Sequence, residues 1–275
     1  MACRCAPVQR GWRVIVRYVR LLWIFLRTEM QYELEYRTNL ALDIVQSLVI
    51  MGTSVGAVLV LFSYTTVLNG WDLEAMLVLL GCFYLVQGFS EFVLAPSFEK
   101  FMEHVRMGTL DFALLKPASP QFLVTLRQFR VTELTQFVLG AVIVVVALSR
   151  MSGVGVYQGV GFAVALLCGF TLVYALLLAL STFAFWFVRV DNLMAIYWSF
   201  LDAGRFPVDI YPGWLRLTLS TAVPIGIAVT VPAQAISGRL DLFGLGLLVI
   251  GTVAAFVVAS WFWRLGLRSY TGASA

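Results

Sequence analysis

Six stretches of this chain read as helices crossing a hydrocarbon core of about 30 Å, for which ~20 apolar residues are needed, although the fifth is short and irregular. They fall at residues 40–62, 73–95, 131–148, 159–188, 192–206 and 242–263. No other feature constrains the fold as strongly, because a lipid-embedded backbone must satisfy its hydrogen bonds internally and helices do so within each segment. The expectation is an all-α integral membrane protein of six transmembrane helices, with residues 1–275 as a single transmembrane domain. Composition agrees: 61% of the 275 residues are hydrophobic and 12% are charged, against about 25% charged in soluble domains. Between the spans no polar region is long enough to bury a core of its own.

Two further segments are apolar without reading as spans. Residues 12–37 are too charged to insert, but Arg13, Arg17, Arg20 and Arg27 recur on one helical face while Trp23, Ile24 and Phe25 cover much of the rest. That pattern predicts an amphipathic helix lying in the membrane interface. Residues 207–234 are punctuated by proline from Pro207 to Pro232 and cannot form one continuous helix. Such backbone is expected outside the bilayer or as a re-entrant hairpin packed against protein. Residues 1–11 match nothing recognisable. Cys3 and Cys5 sit in the N-terminal tail, and Cys82 and Cys168 fall inside spans. None has a partner at zinc-ligand spacing, so all four read as free thiols.

Lysine and arginine set the orientation. With both termini in the cytoplasm, fifteen of the 19 basic residues fall on the cytoplasmic side, seven of them before the first span. Outside remain Arg150, Arg205, Arg216 and Arg239. This is the asymmetry the positive-inside rule describes.

Catalysis has little to stand on. The one histidine, His104, has no second histidine or cysteine nearby and reads as a solvated or interface residue. A P-loop needs Gly-Lys-Ser/Thr, and the two lysines, Lys100 after Glu99 and Lys116 after Leu115, cannot supply it. The chain is expected to be no enzyme and to hold no cofactor and no metal. Any ATP and magnesium would be bound by a partner chain. Nothing points to nucleic acid.

The longest cytoplasmic loop, residues 96–120, carries Phe98, Phe101, Met102 and Val105 at helical spacing between Glu99, Lys100, Glu103, His104 and Arg106. A short amphipathic helix is expected there, ending at Gly108. With no span to pack within, its apolar face suits a groove on a partner.

Polar residues within spans are the other candidates. Tyr84, Gln87 and Glu91 share one face of the second span, Asp43, Gln46 and Ser54 nearly share one in the first, and Glu133 and Gln136 sit at the inner end of the third. Intramembrane carboxylates face protein or a cavity. Gln46, Tyr84, Gln87, Glu91 and Gln136 are pathway-lining candidates, with structural hydrogen bonding as the competing role. Gly161, Ala165 and Gly169, and Gly251, Ala255 and Ala259, form small-residue stripes suited to close helix packing.

Three motifs carry a resemblance. Gly108-Thr109-Leu110-Asp111 leading to Leu115-Lys116-Pro117 resembles the signature of permease subunits of type-2 ABC transporters, in the branch of uncharacterised or drug-resistance-like bacterial export permeases. Phe206-Pro207 with Tyr211-Pro212-Gly213-Trp214-Leu215-Arg216 and Pro224 is similar to that family's extracellular stretch before the last span. Trp263-Arg264-Leu265-Gly266-Leu267-Arg268-Ser269-Tyr270 resembles its cytoplasmic tail.

The resemblance implies half of an ATP-driven exporter in a bacterial plasma membrane. A second permease, identical or a sister chain, and two ABC ATPase subunits would complete it. Phe98, Phe101, Met102, Val105, Arg106, Gly108 and Asp111 would form the ATPase-coupling element, and residues 12–37 the connecting helix beside it. The cargo would be an amphipathic or lipid-like molecule. Two rival functions are a non-transporting membrane scaffold and an ion-coupled secondary carrier. The carrier would place ionisable groups at mid-span and show an internal repeat.

Overall fold

A computed structural model describes residues 20–31, 33, 35, 37–111, 115, 119–151, 153, 155–187, 191–221 and 223–270. Among these, the chain is a helical bundle with no extended strand. The helices are α1 (Arg37–Tyr64), α2 (Leu73–Phe89), α3 (Ala95–Arg106), α4 (Pro120–Thr125) and α5 (Leu134–Arg150). They continue with α6 (Val156–Thr182), α7 (Asp191–Ala203), α8 (Gly213–Thr221), α9 (Ile225–Ile236) and α10 (Leu242–Ser269). Five helical segments are long and apolar enough to cross a membrane: Thr38–Tyr64, Leu73–Arg106, Val131–Arg150, Val156–Phe185 and Leu242–Ser269. The bent pair α8–α9 makes up to six.

The expected fifth span, 192–206, is the 13-residue helix α7. At 1.5 Å per residue it is about 20 Å long, short of the hydrocarbon thickness. The proline-rich stretch after it supplies the missing apolar helix. α8 and α9 meet at 90°, and α9 is buried against α2 and α6, with Ile225, Val229 and Ala233 inaccessible to solvent. Protein thus covers α9, while Trp214 and Leu217 of α8 are exposed.

Helix α2 is the core of the bundle. Every residue from Ala75 to Val86 is buried, the state of a helix that is apolar all round. Its closest neighbour is α5, and three glycines explain the approach. A Cβ on Gly81 would lie 2.6 Å from Val144 Cγ2, one on Gly88 2.5 Å from the Phe137 nitrogen, and one on Gly140 2.9 Å from the Leu85 nitrogen. Only glycine lets these backbones meet. The Gly161–Ala165–Gly169 stripe does the same for α6 and α9: a Cβ on Gly169 would stand 2.6 Å from the Ala228 carbonyl oxygen. Pro232, four residues on, has no N–H to donate to that carbonyl. The second stripe behaves differently. Gly251 meets nothing within 4 Å and lines an apolar cavity of about 410 Å³ between α6, α8, α9 and α10.

The boundary expected at residue 95 is absent, because the helix runs on from Leu73 to Arg106. A π-helical turn, Ser90–Leu94, joins α2 to α3 just before Pro96. Proline leaves the Phe92 carbonyl without its helical donor. The Arg130 backbone N–H replaces it at 3.0 Å. Ser97 Oγ adds a second stitch, donating to the Gln128 carbonyl and accepting from the Gln128 N–H, each at 3.0 Å. The turn and the segment at 127–130 hold each other in place.

Of the N-terminal amphipathic segment, residues 20–31 are helical, and Trp23 and Ile24 are exposed. Arg13, Arg17 and residues 1–11, with Cys3 and Cys5, lie outside the described residues, as do Lys116 and Pro117 of the loop motif.

Candidate functional site

The end of the bundle at which α3 projects gathers two groups of residues. The first surrounds the π-helical turn. Widening the helix there turns Glu91 toward α5, where it meets side chains from both flanks. Gln87 Nε2 donates to Glu91 Oε1 at 3.0 Å. Gln136 Nε2 donates to Glu91 Oε2 and to Glu133 Oε2, each at 3.0 Å. One amide thus holds two carboxylates side by side, using both of its N–H groups. Close by, the Val131 N–H donates to Glu33 Oε1 at 2.7 Å. Burial pushes the Glu33 carboxyl above its ordinary value, against the backbone N–H groups of Val131 and Thr132, which pull it down.

Three of the pathway-lining candidates, Gln87, Glu91 and Gln136, therefore meet in one network. The other two do not join it. Tyr84 is buried one turn and more away, its hydroxyl donating to Ser54 Oγ at 2.8 Å and tying α2 to α1. Gln46 is exposed on α1. The partners of Glu91 are glutamines rather than arginines. Arg130 instead reaches Glu99 at 3.6 Å across the surface of α3.

The second group is α3 itself. Its C-terminus closes as the sequence predicts. Gly108 adopts φ +69°, its N–H donates to Val105 O at 3.1 Å, and the Thr109 N–H donates to His104 O at 2.9 Å. This crossed pair is the Schellman arrangement, in which a left-handed residue reverses the chain and satisfies the last carbonyls. His104 Nδ1 and Thr109 Oγ1 lie 2.8 Å apart across the same reversal.

The apolar face of α3 is not free, and here the expectation is corrected. Phe98, Phe101 and Met102 are buried against the chain's own helices, with Val105 half-buried beside them. The Phe101 ring centroid lies 4.9 Å from that of Trp263 on α10 and 5.4 Å from that of Phe185 at the end of α6. Phe98 stands 6.1 Å from Tyr174. The physical reason is the unbroken helix: α3 extends α2 along the ends of α6 and α10, which carry an apolar surface for it to cover. Exposed on this end are Glu99, Arg106, Met107 and Leu115, and Asp111 is half-buried.

Sequence reading missed Trp263 and Phe185 as the partners of Phe101. Their aromatic bulk at two span ends was visible; their convergence was not. It also missed Asp202 and Arg205. The Arg205 guanidinium lies 5.2 Å from the Phe83 ring centroid and 3.1 Å from Asp202 Oδ1. Among the described residues no cluster of three metal-ligating side chains is found.

No curated protein and no solved structure matches this chain. Residues 48–274, all but the first apolar turns of the bundle, match the family described as ABC-2 family transporter protein. Together with five apolar helices long enough to cross a bilayer, this match shows that the chain belongs to the ABC-2 transporter family, as a membrane permease component.

Proposed function

We propose that this permease is half of the membrane part of an ATP-driven exporter, packed against a second permease and driven by two separate ATPase subunits. The observation that carries the reading is the continuous 34-residue helix Leu73–Arg106. It starts at one end of the bundle, passes through the most buried part of the core, and ends at the Gly108 reversal beside the end of α10. A helix so anchored is a lever: displacement of its tip moves the core rather than a loop. The chain has no phosphate-binding motif of its own, so a tip displacement must come from another polypeptide. Family membership supports ATPase subunits as that polypeptide.

Contact with the ATPase would then lie at the exposed tip, Met107 and Leu115 with Arg106 and Asp111 beside them, rather than on the buried ring face. Gly108 and Val105 would act by fixing the tip's shape, and Phe98, Phe101 and Met102 by anchoring the lever to α6 and α10. The α3 end would be cytoplasmic, in a bacterial plasma membrane with both termini inside. Extraction from native membranes in mild detergent tests the reading. A nucleotide-hydrolysing partner should copurify in fixed stoichiometry, and Met107→Glu with Leu115→Asp should release it. A stable lone chain that transports would overturn the proposal.

A further inference from the structure

Asp202 and Arg205 stand where charge is poorly tolerated. Two contacts set their depth. The Tyr197 hydroxyl of α7 donates to Ser90 Oγ at 2.8 Å, and eight residues later Arg205 lies over Phe83, 5.2 Å from the ring centroid. These contacts run α7 antiparallel to α2 and place Arg205 seven residues of α2 away from the π-helical turn. Phe83 lies between Gly81 and Leu85, whose backbones both meet Gly140. Gly140 is at the centre of the 20-residue span Val131–Arg150. Such a span is about 30 Å long, the thickness of the hydrocarbon core. The Arg205 guanidinium and the Asp202 carboxylate it meets therefore lie level with the middle of that span, although the chain reaches the α1–α2 loop four residues later, where Asn69 Nδ2 donates to the Asp209 carbonyl at 3.0 Å.

The chain does not enclose these charges. The side chains of Arg205 and Asp202 are 36% and 61% exposed, and they share one contact, Nη2 to Oδ1 at 3.1 Å. Acyl chains cannot solvate either group, so at this depth the exposed side must meet water or protein. Building on the reading of the chain as half of a permease pair, we propose that Asp202 and Arg205 line its aqueous pathway. There the Arg205 guanidinium receives an anionic group, phosphate or carboxylate, of the molecule moved.

The geometry suits an oxyanion. Phe83 supports one face of the guanidinium, Asp202 engages it at a single nitrogen, and the planar fork favours two-point contact with an oxyanion. Asp202, one helical turn before Arg205, neutralises the site when empty. The cargo's anion competes with that carboxylate, which keeps binding transient, as passage requires.

Thiol labelling of the whole complex in native membrane vesicles tests this. Ser199 is exposed on α7 one turn before Asp202, so Ser199→Cys reports on the site and leaves both charges in place. Val257→Cys, exposed at mid-height on α10, is the lipid-facing control. Ser199→Cys should react at least about tenfold faster than Val257→Cys with a charged methanethiosulfonate. An anionic (sulfonatoethyl) reagent should outpace a cationic (trimethylammonioethyl) one by roughly tenfold, through local accumulation of the counter-ion. Adding Arg205→Gln should abolish that preference, and Arg205→Lys should keep it. Reaction no faster than at Val257→Cys, as a protein-covered pair would give, overturns the proposal. So does a preference that survives Arg205→Gln. Failure of the permease reading would show separately, as vesicles whose purified chain brings no ATPase.

Discussion

Replacing Phe101 separates packing from docking. The side chain is 2% exposed, with the rings of Trp263 and Phe185 at 4.9 and 5.4 Å. Truncating a buried phenylalanine to alanine costs about 3–5 kcal/mol. Each aromatic contact accounts for about 0.5–1.5 kcal/mol of that beyond area. With the entropy scale of soluble domains of 150–250 residues, where about 1 kcal/mol moves Tm by 2–4 °C, the loss corresponds to a fall in Tm on the order of 10 °C. The assay is thermal unfolding of the purified chain in detergent without any ATPase, followed by intrinsic tryptophan fluorescence, to which Trp263 contributes directly. Phe101→Leu should recover about half of the loss. Phe101→Asp should be worse than alanine, because it leaves an unpaired charge among the rings. If Phe101→Ala left the Tm of the isolated chain unchanged while abolishing capture of the ATPase, the ring would be a docking group, and the intramolecular packing described above would be wrong.

Three other expectations follow from particular contacts. Gly169→Ala should destabilise the chain by about 1–3 kcal/mol through overpacking against the Ala228 carbonyl. Gly251→Ala, in open space, should be neutral or stabilising by up to about 1 kcal/mol; equal effects in thermal unfolding would contradict the packing. Gln136→Leu removes the donor shared by Glu91 and Glu133 and should cost about 1–3 kcal/mol, measured the same way; an unchanged Tm would show that the amide is dispensable. Asn69→Cys should be labelled by an impermeant thiol reagent from outside intact cells and Ser119→Cys should not, and labelling of Ser119→Cys would invert the orientation.

Much of this protein was legible in the chain itself. Apolar length alone determined that it is helical and membrane-embedded, because lipid allows no unpaired backbone. Local rules also sufficed where one segment decides its own fate: Gly108 as the left-handed stop of α3, and Pro207 to Pro232 as a stretch that cannot form one continuous helix, which the 90° bend between α8 and α9 matches. The three motifs placed the chain in its family for the same reason, since each is contiguous.

What depends on two segments at once was decided only by the tertiary structure. A small-residue stripe reads the same at Gly169 and at Gly251, yet one meets a carbonyl and the other a cavity. An amphipathic face reads the same whether a partner or the chain's own α6 and α10 will cover it, and hydrophobicity carries no address. Pro96 looked like the end of a span, but a π-helical turn and the Arg130 N–H absorbed it, extending the helix to Arg106. Counting charges places Arg205 outside, but not what it touches: its contacts with the Phe83 ring and with Asp202 come from the antiparallel register that the Tyr197–Ser90 bond sets against α2, and Phe83 lies far from residue 205 in the chain.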